Sequence, residues 1–88
     1  MASRNISFTP QAWEEYLSWE KENPTVLKKI HTLLKEISRE DPYTGTGKPE
    51  QLKHALSGAW SRRISREHRL VYQVTETQIV VVQLKYHY

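Results

Sequence analysis

The sequence predicts an α+β domain: two helices laid across one face of a twisted, mainly antiparallel β-sheet. Three observations carry this. Apolar residues recur at helical spacing in two stretches that each open on a capping residue followed by proline. From Leu52 onward the period changes to two, as in strands with two distinct faces. Between these regimes stands DPYTGTGKPE, a run of turn formers that ends one kind of structure before the other begins.

The first segment, RNISF, alternates Ile6 and Phe8 with polar neighbours and reads as a short half-buried strand. Thr9 caps a helix and Pro10 opens it, because the first helical position has no use for an N–H. Trp13, Tyr16 and Leu17 then form an apolar stripe expected to face the core. Asn23-Pro24 repeats the cap. Val26, Leu27, Ile30, Leu33, Leu34 and Ile37 keep helical spacing until Asp41-Pro42 stops the second helix, giving an αα-hairpin. In WSRRIS, Trp60, Arg62 and Ile64 alternate with Ser61, Arg63 and Ser65. HRLVYQV and IVVVQLKY follow, separated by the polar turn TETQ, so three strands make an antiparallel meander. LKHAL is expected to add a shorter strand before them. Alternation groups Arg69, Val71 and Gln73 opposite Leu70, Tyr72 and Val74. Counted from Gln83, it sets Lys85 and His87 on the cationic face and Val80, Val82, Leu84 and Tyr86 on the apolar one.

Residues 1–88 read as a single domain, since a chain of 88 residues has room for only one modest core. Cysteine is absent, so no disulfide or thiolate metal site is expected. No stretch approaches the roughly 18 apolar residues of a membrane span, and MASRNISFTP lacks the apolar centre of a signal peptide, so the expected location is cytoplasmic. Charge is uneven. Residues 1–44 carry 6 Lys/Arg against 7 Asp/Glu, whereas residues 45–88 carry 7 against 3 and hold three of the four histidines. Such a bias suits a face that binds polyanions, though an uneven solvated surface explains charge alone equally well.

The second half gathers Glu50, Lys53, His54, Arg62, Arg63, His68, Arg69, His87 and Tyr88. Each has a plainer explanation. His54 and His68 read as partly buried hydrogen-bonding residues, Lys53, Arg62 and Arg63 as solvated strand charges, and Glu50 as a turn residue. The histidines lack the paired spacing of zinc sites, no acidic cluster suits magnesium, and GTGKPE is not a phosphate-binding loop, so no metal or cofactor is expected. The combination does suit metal-free RNA cleavage. Attack of a ribose 2′-hydroxyl on the adjacent phosphate needs a base, cations for the charge building on phosphorus, and an acid for the leaving 5′-oxygen. Glutamate, arginine and histidine can fill these roles. A solvated carboxylate, with a reference pKa of about 4.3, is a weak base unless desolvation strengthens it.

The stretch GKPEQLKHALSGAWSRRISREHRLVY, with the terminal YHY, closely resembles the YoeB (Txe) group of bacterial toxins in the RelE-like superfamily, and the likeness runs through nearly the whole chain. The resemblance implies a RelE-like fold and a ribosome-dependent endoribonuclease, an mRNA interferase cutting the codon in the ribosomal A site. It implies Glu50 as general base, Arg69 as phosphate stabiliser and His87 as general acid. Tyr88 is implied as a further active-site contact, with Lys53 and Arg63 assisting at phosphate. It also implies a homodimer and a YefM-like antitoxin. Gln51 stands where proline is common in the family and Ala59 where a larger aromatic is common, and a few residues are added at the N-terminus. These departures touch loop rigidity and packing, not the catalytic groups. The closing residues are expected to present His87 and Tyr88 at the active face, where an ending without a polar tail leaves room for a ribosome-bound codon.

Two other functions compete. A non-catalytic toxin could inhibit a nucleic-acid machine through the cationic face, as gyrase inhibitors of the same superfold do, but simple phosphate binding has no use for a positioned carboxylate. An RNase independent of the ribosome would need stacking aromatics among the basic strand residues, and these are few.

Overall fold

Residues 3–53 and 58–86 are described by a computed structural model. Strand β1 (Asn5–Phe8) leads into α1 (Pro10–Glu22) and α2 (Pro24–Arg39). Then come β2 (Glu50–Gln51), β3 (Trp60–Arg63), β4 (Arg69–Val74) and β5 (Gln78–Gln83). The five strands form one sheet in the order β1-β5-β4-β3-β2, parallel between β1 and β5 and antiparallel elsewhere. The meander is therefore as expected. The two-residue β2 stands just before LKHAL; of the strand expected there, Leu52 and Lys53 lie outside any strand and residues 54–57 lie outside the described residues.

Both caps form. The Thr9 hydroxyl accepts from the Ala12 N–H at 3.2 Å, and the Asn23 side chain accepts from Thr25 and Val26 at 3.2 and 3.3 Å. Each satisfies donors that the first turn of a helix leaves open. The Asn23 N–H also bonds the Trp19 carbonyl, so one residue ends α1 and starts α2. Leu27, Ile30, Leu33, Leu34 and Ile37 of α2 are buried against Ile64, Leu70, Tyr72, Ile79, Val81 and Leu84.

Two expected faces are corrected. Helix α1 buries Ala12 and Trp19; of the expected stripe Tyr16 packs half-buried against the core, whereas Trp13 is 46% exposed and Leu17 37%. Trp19 sets this rotation by reaching across the core to donate its indole N–H to the Leu84 carbonyl at 2.9 Å. Strand β5 buries Ile79 and Val81, not Val80 and Val82. Its register against β4 steps from Tyr72↔Val81 to Val71↔Gln83, leaving Val82 as an extra residue. Such a bulge resets the alternation. Leu84 consequently enters the core, while Tyr86 is exposed and Lys85 reaches Glu22 of α1 at 2.8 Å instead of joining the cationic face.

Arg62 is the largest correction. Although the sequence allowed it as a solvated strand charge, it is fully buried on the helix side of β3. Its Nε donates to the Tyr72 hydroxyl at 3.0 Å and Nη1 to Glu36 at 2.6 Å and the Thr46 carbonyl at 3.1 Å. Nη2 donates to the carbonyls of Pro42 at 3.2 Å and Thr44 at 2.7 Å. Tyr72 donates in turn to Pro42 at 2.6 Å, and Glu36 accepts from the Thr46 N–H and hydroxyl. One guanidinium thus fastens the loop 41–47 to α2 and the sheet. Gly45 and Gly47, at φ +117° and +87°, let that loop approach: a Cβ on Gly45 would strike the Glu36 carboxylate, and one on Gly47 would lie 3.1 Å from Arg62 Cβ and the Arg63 carbonyl.

Replacing Arg62 by Met should cost about 3–5 kcal/mol in urea unfolding, because it leaves a carboxylate and several carbonyls without their donor. The same change at exposed Arg63 should stay within about 0.5 kcal/mol. Hydrogen bonding from the Thr46 N–H, followed by its hydroxyl and Arg62, holds the Glu36 carboxyl below the usual carboxylate range. A lowered folded pKa gives stability that is present above the unfolded value of about 4.3 and lost as pH falls through the folded value. Unfolding curves from pH 7 downward should therefore show a loss below about pH 4 that Glu36→Gln removes, the variant being less stable at pH 7 throughout.

Candidate active site

The anchored loop delivers Glu50. After Gly47, whose carbonyl accepts from the Arg63 N–H at 2.8 Å, Lys48 takes φ +50° and Pro49 leads into β2. There Glu50 pairs with Ser61 and Gln51 with Trp60. The neighbouring register sets Ser61 opposite Val71 and Arg63 opposite Arg69. Side chains directly opposite share a face, so Glu50, Ser61, Arg63 and Arg69 all lie on the side of the sheet away from the helices.

Two arginines on adjacent strands have opposite fates. Arg62 spends its donors inside. Arg69, with 18% of its side chain exposed, donates from Nε to the Ser61 hydroxyl at 2.9 Å and from Nη2 to the Ser61 carbonyl at 3.4 Å. Guanidinium carries five N–H groups, so three remain without an acceptor among the described residues. Glu50, 68% exposed, approaches Arg69 Nη2 only to 4.0 Å. That separation is too long for a hydrogen bond. The pair is a carboxylate and a fork held side by side at an open face, with donors available for an oxyanion.

The end of β5 approaches the same place. The Arg69 N–H donates to the Tyr86 carbonyl at 2.8 Å, and the Tyr86 N–H donates to His68 Nδ1 at 2.8 Å. Tyr86 has φ +61°. It and Lys48 are the non-glycine residues at positive φ among the described ones, and they immediately precede the segments expected to carry the base and the acid. Conformations of this kind cost energy and recur where function demands a fixed geometry.

The structure therefore brings Glu50, Arg69 and Arg63 together, with Arg63 exposed. Lys53 is exposed beyond β2, on a segment tied back to β3 by the Leu52 N–H donating to the Ala59 carbonyl at 2.8 Å, and no hydrogen bond among the described residues joins it to the others. His87, Tyr88 and His54 lie outside the described residues. His68 is the half-buried, hydrogen-bonded histidine expected of it. Ser61, which orients Arg69, is signalled in the sequence only by its parity with Arg63 in WSRRIS. Among the described residues no three His, Asp or Glu side chains gather to hold a metal ion. A groove of about 430 Å³ lined by Phe8, Trp13, Tyr16 and His31 lies against the helices, apart from this face.

Comparison with known proteins agrees with the fold. Residues 8–88 match the family model of the YoeB-like toxin of bacterial type II toxin-antitoxin systems. Toxin YoeB of Streptomyces coelicolor is 52% identical over 83 residues, covering 94% of this chain and 98% of the relative, and Toxin YoeB of Escherichia coli K12 is 47% identical over the same coverage. The structure of a YoeB dimer from Staphylococcus aureus superposes with a TM-score of 0.91 at 48% identity, over 99% of this chain and 100% of that one. The YoeB chain of a YoeB-YefM complex from the same organism gives 0.88 at 49%, over 99% and 100%. YafQ from Escherichia coli, at 20% identity and a TM-score of 0.73 over 96% and 93%, shares the fold. The RelE-like α+β architecture is thus the family's own, and the chain belongs to the YoeB-like toxins of bacterial type II toxin-antitoxin systems.

Proposed function

We propose that this toxin is a metal-independent endoribonuclease that cuts mRNA in the ribosomal A site. The observation that carries the reading is the pairing of Glu50 with Arg69 at 4.0 Å on an open sheet face. Glu50 takes the proton of a ribose 2′-hydroxyl as its oxygen attacks the adjacent phosphorus. Arg69, aimed by Ser61, stabilises the charge that grows on the phosphoryl oxygens. His87 gives a proton to the departing 5′-oxygen, leaving a 2′,3′-cyclic phosphate and a 5′-hydroxyl. The Tyr86 carbonyl held by the Arg69 N–H supports this role, since His87 follows it in the chain. Tyr88 contacts the same nucleotide, and Lys53 and Arg63 hold flanking phosphates.

Exposure explains the need for a ribosome. A carboxylate open to water is a poor base, and Glu50 is 68% exposed. The ribosome supplies what the protein alone lacks: a codon in fixed conformation, closed over the face so that water is excluded. The likeness to YoeB in complex with YefM, and to a YoeB dimer, supports a YefM-like antitoxin and a homodimer as partners here, in the cytoplasm where ribosomes work.

Glu50→Gln should slow cleavage on programmed ribosomes by about 10²–10⁴-fold, with ribosome binding kept. Undiminished toxicity would favour a non-catalytic inhibitor. The same message without ribosomes should be cut far more slowly, and equal rates would remove the explanation from exposure. Product ends should be 2′,3′-cyclic phosphates; 5′-phosphates would point to metal-assisted hydrolysis.

A further inference from the structure

We propose that His68 is a positioning residue for this reaction: its imidazole, accepting at Nδ1 and protonated on Nε2, latches the chain at Tyr86, the residue that precedes the proposed acid His87 in sequence. The inference rests on the reading above for what those residues do, and on geometry for the latch itself. Adjacent residues of the chain hold both polar groups of the Tyr86 backbone. His68 Nδ1 accepts its N–H at 2.8 Å, and the Arg69 N–H donates to its carbonyl at 2.8 Å. A backbone N–H can only donate, so Nδ1 must keep its lone pair and the ring proton must sit on Nε2.

The ring itself is fixed. Its edge meets Trp19 with centroids 4.8 Å apart and planes at 85°, and the Tyr86 ring lies 5.3 Å away on another side. The His68 carbonyl accepts from the Ile64 and Ser65 N–H groups at 2.9 and 3.1 Å, closing the turn from β3 to β4. Charged neighbours approach from α1 and from the chain end: Glu22 pairs with Lys85 at 2.8 Å, and the Lys85 ammonium stands 4.9 Å over Trp19. Arg69 is next in sequence. The preceding residues are equally tied, with the Leu84 N–H donating to Glu15 at 2.7 Å and the Gln83 amide to the Lys85 carbonyl at 2.6 Å. Into this frame Tyr86 is set at φ +61°, a left-handed conformation that a tyrosine adopts only when its surroundings hold it there. The latch ties the backbone of the residue before the proposed acid to the proposed phosphate-binding arginine and its neighbour.

The test has two arms. Long-range nitrogen-15 spectra of the imidazole should show Nδ1 unprotonated and Nε2 protonated, with slow hydrogen exchange at the Tyr86 amide; a protonated Nδ1, or a freely exchanging Tyr86 amide, would overturn the latch. In the second arm, His68→Asn keeps an acceptor at the position of Nδ1, whereas His68→Leu keeps only the apolar edge against Trp19. At saturating ribosomes, His68→Leu should lower single-turnover cleavage by about 10–100-fold with ribosome affinity unchanged, and His68→Asn should recover most of the loss. Equal loss in both folded variants, or wild-type rates in His68→Leu, would refute the positioning role. If His68→Leu does not fold, His68→Asn decides, near-wild-type cleavage supporting the acceptor role and a full loss refuting it. Wild-type protein that cuts no ribosome-bound message would defeat the nuclease reading, while the nitrogen spectra would still decide the latch.

Discussion

Everything at the open face depends on a charge buried on the other side of the sheet. Taking a guanidinium out of water is costly, and it is tolerable only where the hydrogen-bonding groups around it are matched to its donors. Arg62 meets that condition with the carboxylate of Glu36, the hydroxyl of Tyr72 and carbonyls of the loop 41–47. The loop has no regular structure of its own, so its shape is the shape that satisfies Arg62. Glycines at 45 and 47 admit the close approach. Lys48, Pro49 and Glu50 then follow with little freedom, and Glu50 arrives opposite Ser61. A structural arginine on β3 thereby positions the proposed base, which faces the proposed phosphate-binding arginine on β4.

The two arginines illustrate how one residue type is divided between stability and chemistry. Arg62 has its donors occupied inside the fold, and no ligand can compete for them. Arg69 is steered by Ser61 but not saturated, and the carboxylate beside it stops short of a tight ion pair at 4.0 Å. A closed pair would hide both groups from a phosphate. In the proposed reaction the open one keeps them apart enough for a nucleotide to enter and close enough for both to touch it.

Much of this was legible in the sequence. Thr9-Pro10 and Asn23-Pro24 fixed both helix starts, because capping is a local interaction of a side chain with its own first turn. The spacing in α2 marks its buried face, and the alternation in β4 groups its residues correctly without saying which group meets the helices. Reading failed where distant packing decides. The rotation of α1 is set by Trp19 reaching Leu84, sixty-five residues on, and aromatics at 13, 16 and 19 left more than one face available. In IVVV every residue is apolar, so parity carries no information, and the bulge at Val82 cannot be seen without the partner strand. Alternation groups Arg62 with Trp60 and Ile64, the correct signal, which its charge obscures. The family motif points to Glu50 and Arg69 as candidates and leaves Ser61 and His68 with only their plainer readings, because what those two side chains hold depends on the partner strands.

The proposed function is that a fixed loop, an oriented guanidinium and a latched strand end act at one phosphodiester, with the ribosome completing a site that the free protein leaves open to water. Its most direct test is the structure of the Glu50→Gln toxin on a ribosome carrying an uncut A-site codon. The scissile phosphate should lie within about 3 Å of the Arg69 guanidinium, with the side chain at 50 against the attacking 2′-oxygen and His87 at the leaving 5′-oxygen. A codon seated elsewhere on the protein, or these three side chains directed at different nucleotides, would contradict it.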